Sequence, residues 1–390
     1  MITTLAVSGY RSLRDVVVPL SRITAVTGGN GSGKSSLYRA LRLLAQCGEG
    51  QVVGTLAREG GLQSALWAGP ESLSGARRGA PVEGTVRKGP ISLRMGYASE
   101  EFGYLVDLGL PQPTGLPTAF QRDPHIKREL IFAGPVMRPA TVSVRRRRGS
   151  VQVRDGRAWA DVSDGLAPYR SVLGEYADRQ VAPEVFAVRS AIRSWRFYDG
   201  FRVDADAPAR RPQVGTRTPV LSGDGSDLAA AVQTILESGF GDLERTVADA
   251  FDGAVPQVLI ADGMFDVAIA QPDMLRPLRA AELSDGTLRY LLLATALLTV
   301  EPPPLMVLNE PETSLHPSLI PPLARLIRQA AQRSQVVVVS HSRVLIEALR
   351  AGADEDDDLL GEVVLAKDLG ETVVEDQGLL TRPPWEWGSR

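Results

Sequence analysis

The sequence predicts an α/β fold in which a core of buried parallel strands is combined with an antiparallel β-region and an inserted helical lobe. Three observations lead there. A β-branched run at residues 23–27 ends on paired glycines and leads into an amphipathic helical pattern. Two wholly apolar runs, at 305–308 and 336–339, are separated by helical periodicity, as strands covered on both faces are. Residues 91–95 and 104–108 alternate apolar with polar side chains, as half-covered antiparallel strands do.

In chain order, residues 2–7 and 16–20 read as strands around a polar turn. The third strand, 23–27, feeds a helix starting near Ser35, whose Leu37, Ala40, Leu41 and Leu44 recur at the spacing of one buried face. Residues 48–89 are rich in glycine and small side chains. The runs 142–144 and 151–153 flank Arg145, Arg146, Arg147, Arg148 and Gly149 and predict a hairpin with the charges at its tip. Helices are expected at 183–195 and 226–237, the second with Ser226 as N-cap. The aperiodic stretch 204–219, with its prolines and arginines, predicts a loop or extended crossing segment free to move. Beyond it the pattern reads strand 265–270, helix 285–299, strand 305–308, helix 317–333, strand 336–339 and helix 343–351. A β-hairpin pairing 362–364 with 372–374 and a tryptophan-bearing tail close the chain.

Composition bounds the function classes. With 390 residues, 44% hydrophobic and 23% charged, the chain is globular and able to bury a large core. A net charge of −3 excludes a globally basic nucleic-acid glove and leaves room for a local basic patch. The single cysteine, Cys47, forms no internal disulfide, and no Cys and His spacing suits a metal, which fits a reducing cytosol. No basic segment followed by an apolar run opens the chain, and no apolar run approaches the roughly 20 residues that span a bilayer, so a soluble, cytoplasmic protein without membrane contact is expected.

The chemistry concentrates in a few segments. Gly28, Gly29, Asn30, Gly31, Ser32, Gly33, Lys34 and Ser35 match G-x-x-x-x-G-K-[ST] between a strand and a helix. Glycines let backbone N–H groups curl around phosphates, and the helix N-terminus adds partial positive charge. Lys34, one of only four lysines, would reach the β- and γ-phosphates of a nucleotide; Ser35 would offer its hydroxyl to Mg²⁺, and Ser36 follows in the same turn. The run 305–308 ends at Asn309, Glu310, Pro311 and Glu312, so a buried strand delivers polar side chains at its C-terminal end, where ligands bind in such sheets. Glu310 is suited to orient and polarise an attacking water. Ser284, in Leu283-Ser284-Asp285-Gly286-Thr287, reads by itself as a helix cap.

Taken together, the loop, this LSDGT segment, the Asn309-Glu310 strand and Ser340-His341 resemble, in order and spacing, the ABC-type ATPase heads of the RecF, SMC and OLD-like group. Gly9-Tyr10-Arg11-Ser12-Leu13 and the EPE-x-x-LHP segment around Leu315 and His316 are similar to that group as well. The resemblance covers residues 1–45 and 260–350 and only loosely the middle. It implies a P-loop ABC-type head with a mixed sheet, binding ATP and Mg²⁺ and forming a homodimer with ATP at the interface. Residues 1–47 and 256–390 would be its nucleotide-binding lobe and 48–255 the insertion. Ser284 and Gly286 would contact the γ-phosphate held by a second subunit, His341 would sense it, and residues 314–316 would pass the partner's site, with His316 equally readable as a cap. The glutamine that would contact Mg²⁺ is not singled out among Gln46, Gln63, Gln112 and Gln121. The group's usual Asp-Glu pair is Asn309-Glu310 here. A neutral amide accepts hydrogen bonds from Mg²⁺-bound water less strongly than a carboxylate, so slow hydrolysis is expected.

By that resemblance the expected role is an ATP-driven switch in DNA repair or anti-phage defence. A nucleotide-dependent scaffold for a partner effector such as a nuclease is the alternative. DNA is a candidate partner through Arg145 to Arg148, a run that reads equally as a solvated turn; the acidic run at Asp354 to Asp358 reads as a solvated loop.

Overall fold

The structure, a computed structural model, describes residues 1–79, 92–111, 119–176, 180, 182–239, 242–351 and 359–388. Asp354 to Asp358 and Gln112 lie outside the described residues. The chain divides into two compact units: Met1–Ser21, Val26–Ser194 and Glu362–Arg390 form the first, and Arg22–Ala25 with Trp195–Gly361 the second.

The chain opens with β1 (Ile2–Tyr10), β2 (Leu13–Pro19), β3 (Ile23–Gly28) and α1 (Lys34–Gly48), all in the first unit except Ile23 to Ala25 of β3, which belong to the second. Short helices α2 (Val52–Arg58) and α3 (Leu62–Ala65) occupy part of the glycine-rich stretch. Strands β4 (Leu93–Ser99), β5 (Phe102–Gly109), β6 (His125–Ala133), β7 (Val142–Arg147), β8 (Ser150–Asp155) and β9 (Ala158–Ser163) follow, then α4 (Val172–Glu175) and α5 (Pro183–Arg193). Eight of these strands make one antiparallel sheet in the order β2-β1-β4-β5-β6-β7-β8-β9. In the register, Val7 faces Val16 on one side and Met95 on the other. Helix α1 packs on α5, α2, α4 and β1 and carries Leu37, Ala40, Leu41 and Leu44 inward, as the periodicity predicts. Trp195 lies outside the helix expected to include it, which ends at Arg193.

The second unit contains β10 (Arg196–Tyr198), β11 (Gln213–Val214), α6 (Leu228–Ser238), α7 (Leu243–Ala250), β12 (Val255–Ala261), β13 (Met264–Ala270) and β14 (Leu278–Arg279). After them come α8 (Asp285–Leu297), β15 (Leu305–Asn309), α9 (Ile320–Ala331), β16 (Gln335–Val339) and α10 (Arg343–Arg350). Strands β10, β15 and β16 are parallel, Arg196 pairing with Met306 and Leu305 with Gln335. The apolar runs thus form the buried parallel strands that their lack of alternation predicts. A small antiparallel sheet, β11-β13-β12 with β14 on β13, packs against α6 and α7. Helix α8 contacts α6, α7 and α9, which is why Leu288 to Leu297 are buried all around.

Three segments depart from what the sequence predicts. Ser226 does not cap α6: the helix starts at Leu228, and Asp227 Oδ1 accepts from the backbone N–H of Ser222 at 2.9 Å. The helix expected from residue 317 begins as a 3₁₀ turn, Pro317–Leu319, because the proline pair at 321–322 and the His316 cap fix a tight first turn. The stretch 204–219 is tied down by Arg210, which donates to the Ala280 carbonyl at 2.8 Å and to Asp285 Oδ1 at 2.7 Å.

The C-terminal hairpin pairs β17 (Leu360–Asp368) with β18 (Glu371–Val374), matching Leu365 with Val374 and Lys367 with Thr372. It is longer than expected and shifted in register. In the tail, Trp385 lies edge-on to Phe132 and to Trp387, with ring centroids 6.2 and 5.4 Å away. Trp387 Nε1 donates to Asp15 Oδ1 at 3.1 Å, so the tail is laid on the first unit's sheet.

Candidate functional site

The glycine-rich loop joins β3 to α1 and is braced from behind by the C-terminal hairpin. Gly28 has φ 139°, and a Cβ there would come within 2.2 Å of the Leu365 carbonyl oxygen. Gly33 has φ 114°, and its Cβ would meet Thr372 Oγ1 at 2.2 Å. Side chains are therefore excluded by backbone conformation and by contact. Thr372 Oγ1 donates to the Ser32 carbonyl at 2.7 Å and lies 2.8 Å from Ser12 Oγ. Lys34, the first residue of α1, is buried, and its ammonium donates to the Gly28 and Gly29 carbonyls at 2.6 and 3.0 Å. Ser32 Oγ is buried without a hydrogen-bond partner among the described residues. No acidic residue occupies the first turn of α1, so its positive end is not neutralised. Gly29, Asn30, Gly31 and Ser35 are exposed and Ser36 half-buried. An orphaned hydroxyl, an ammonium resting on carbonyls and an uncompensated helix N-terminus fit an anion rich in acceptor oxygens, such as a nucleotide phosphate.

The second unit gathers Asn309, Glu310, Glu312 and His341. Asn309 ends β15 and Glu310 follows at φ 48°, a left-handed conformation that costs a non-glycine residue roughly 1 kcal/mol or more. The turn is held by its own hydrogen bonds: Glu310 N–H donates to the Val339 carbonyl at 2.8 Å, and the Glu310 carbonyl accepts from Thr313 N–H at 3.1 Å. Arg289, buried on α8, donates to the Phe201 carbonyl at 3.0 Å and to the Glu310 carbonyl at 3.4 Å. Burial lowers the Arg289 pKa, and the charges of Glu312 and Asp199 oppose that shift. His341 Nδ1 lies 3.5 Å from Glu310 Oε1 and 3.9 Å from Glu312 Oε1. Ser342, not His341, caps α10, accepting from Leu345 N–H.

Ser284 caps α8, accepting from Thr287 N–H at 3.2 Å, and is exposed. A Cβ at Gly286 would come within 3.2 Å of the Ser314 carbonyl, so LSDGT packs closely on the segment that leads to His316. His316 acts as a cap, its Nδ1 accepting from Ser318 N–H at 3.3 Å. The loop before α8 is fastened by Arg210. Its guanidinium donates to the carbonyls of Val203, Asp204, Ala280 and Leu283 and to Asp285 Oδ1 at 2.7–3.1 Å.

The arginine run does not stand together at a hairpin tip. Strand β7 sends alternate side chains to opposite faces, so Arg146 is fully buried while Arg147 is exposed, and Arg148 is exposed in the turn that follows, at φ 57°. Arg146 pairs with Glu129 at 2.8 Å and donates to the Ala167 carbonyl, and Arg145 stacks 4.0 Å from the Trp159 ring centroid. Neither a four-charge DNA patch nor a wholly solvated turn describes it. Of the glutamine candidates, Gln46 on α1 donates to Glu49 and accepts from Thr55.

Residues the sequence did not single out are Thr372, Arg210, Arg289 and Glu312. Arg289 carried a signal, a lone charge in the apolar run of α8. Thr372 and Arg210 carried none, because their partners are remote in sequence.

No curated protein matches the sequence. Among solved structures, an SMC head bound to the C-terminal winged-helix domain of ScpA aligns with a TM-score of 0.51 and 15% identity, over 97% of this chain and 98% of that one. The SMC head domain from Thermotoga maritima gives 0.47 and 15%, over 97% and 99%. An SMC head with an extended coiled coil from Pyrococcus furiosus gives 0.49 and 14%, over 96% and 95%. The first of these shows the fold, that of an SMC head, a P-loop NTPase fold. No helix among the described residues is long and apolar enough to cross a membrane. A family profile described as an AAA domain, putative AbiEii toxin, type IV TA system, matches residues 23–347, and the chain belongs to that family of AAA-domain ATPases.

Proposed function

We propose that the chain binds ATP with Mg²⁺, hydrolyses it slowly, and closes as a homodimer around the nucleotide to act as a switch in the cytosol, the whole chain serving as one head. The observation that carries this reading is the loop, with its left-handed glycines, buried Lys34 and orphaned Ser32 hydroxyl. On this reading Gly28 to Lys34 hold the phosphates, and Ser35, with Ser36 beside it, faces the metal. Mg²⁺ when bound would neutralise phosphate charge. Asn309 accepts from metal-bound water as a neutral dipole, Glu310 orients the attacking water, and His341 senses the γ-phosphate. Ser284 and Gly286, at an exposed helix N-terminus, complete the site of a second copy.

The family description names a toxin of a toxin–antitoxin system, which favours phage defence over DNA repair as the setting. Asn309 favours a second reading, in which low turnover makes the dimer a scaffold for a partner effector.

The test is mass in solution with and without ATP and Mg²⁺, using Glu310→Gln to trap the closed state. A doubling of mass that needs nucleotide supports the proposal. An unchanged single-chain mass under trapping conditions removes the dimer mechanism, and phosphate release no greater than that of Glu310→Gln removes hydrolysis.

A further inference from the structure

Glu312 is a buried acidic group of the second unit that the proposed function leaves unused. Its side chain is 8% exposed, against 44% for Glu310 two residues earlier. A carboxylate is costly to bury unless it is held by donors and balanced by charge. Ser340 Oγ donates to Glu312 Oε1, and that hydroxyl is fixed in turn by accepting from Ser342 N–H at 2.9 Å. Buried Arg289 supplies opposing charge from α8. Glu312 Oε2 is buried with no hydrogen-bond partner among the described residues. The structure therefore anchors a buried carboxyl group through Ser340, 3.9 Å from His341 Nδ1.

We infer that Glu312 is a positioning residue that fixes which ring nitrogen of His341 carries the proton. The inference rests on the reading of His341 as the phosphate sensor. Both carboxylates face the same nitrogen: Nδ1 is 3.5 Å from Glu310 and 3.9 Å from Glu312. An ionised carboxylate only accepts, so each favours a proton on Nδ1. Both separations exceed a hydrogen bond, so the selection acts through charge. With Nδ1 protonated, the lone pair of the neutral ring sits on Nε2, the nitrogen left for a ligand. Two carboxylates are needed because they differ in freedom. Glu310 is half-exposed and has a water to orient, whereas Glu312 is anchored by Ser340 and holds the tautomer wherever Glu310 turns.

The test uses full-length protein with ¹⁵N-labelled histidine. The chain has three histidines, and His341→Gln assigns the signal by its loss. At about pH 8.5, where imidazole is neutral, His341 is expected mainly as the Nδ1–H form. Glu312→Gln, which keeps shape and removes charge, should move its population several-fold toward Nε2–H. Ser340→Ala, which frees Glu312, should move it part of the way. If Glu312→Gln does not fold, Ser340→Ala alone must show the shift. An unchanged tautomer in the folded variants overturns the inference. In the ATPase assay Glu312→Gln should lower kcat about tenfold with KM unchanged, and Glu312→Asp should recover part of it; a rise in KM at constant kcat overturns the positioning role. A wild-type protein that hydrolyses no ATP would defeat the proposed function while leaving the tautomer measurement to decide this one.

Discussion

Thr372 holds the Ser32 carbonyl by a 2.7 Å hydrogen bond across 340 residues of sequence, and so ties the glycine-rich loop to the C-terminal hairpin. Thr372→Val keeps the shape and removes this bond along with the contact to Ser12. A net loss of about 1 kcal/mol is expected, which weakens nucleotide affinity roughly fivefold. Calorimetric titration with a slowly hydrolysed ATP analogue measures it. Unchanged affinity would show that the loop keeps its shape without the hairpin.

Arg146 and Glu129 form a pair sealed from solvent on both sides, with side chains 0% and 2% exposed. Glu129 also accepts from Tyr104 Oη at 2.7 Å and from Val172 N–H at 3.0 Å, so the pair ties α4 to the sheet. Arg146→Ala leaves a buried carboxylate uncompensated and should destabilise the fold by about 3 kcal/mol or more. Urea unfolding checks this. Any DNA contact by the arginine run is instead tested at exposed Arg147 and Arg148, where reversal of charge leaves the core intact.

The parallel strands and the strand–loop–helix around Gly28 to Ser35 were legible because each is a local pattern: β15 and β16 are apolar without alternation, and the loop is contiguous. The arginine run was misread because charge outweighed the strand alternation that places Arg146 inside. Arg210 was hidden in a segment without periodicity, its partners Ala280, Leu283 and Asp285 about seventy residues further on. Glu312 stood within a segment already noted, yet only burial distinguishes it from Glu310.

Burial pushes the Tyr10 and Tyr290 hydroxyls up to about 12, and raises those of Tyr97, Tyr104 and Tyr198 as well. A tyrosine whose folded pKa is raised keeps its proton after the unfolded chain has lost it. Unfolding then releases protons, so stability is unaffected by these groups below about pH 10 and falls as pH rises toward 12, by about 1.4 kcal/mol per pH unit for each residue. Phenolate absorbance should therefore rise together with loss of secondary structure. Ionisation of these residues in the intact fold near pH 10 would contradict the burial.

Arg210 anchors the loop that presents Ser284, using all three guanidinium nitrogens on partners from Val203 to Asp285. A lysine there offers a single point of charge and cannot reproduce the planar fork, so Arg210→Lys is a disruptive change. Several buried carbonyls lose their donor, and the thermal midpoint should fall by several degrees. Because the guanidinium is buried, added salt should rescue little of it. The functional consequence separates the two half-sites. Nucleotide affinity of the single chain, assigned in the proposed function to the loop at Gly28 to Ser35, should stay within about twofold. The mass increase on adding ATP to the Glu310→Gln background should be lost, since Ser284 and Gly286 are no longer held in place. Light scattering beside the titration reads both, and a parallel loss of affinity and assembly would assign Arg210 to the stability of the fold alone.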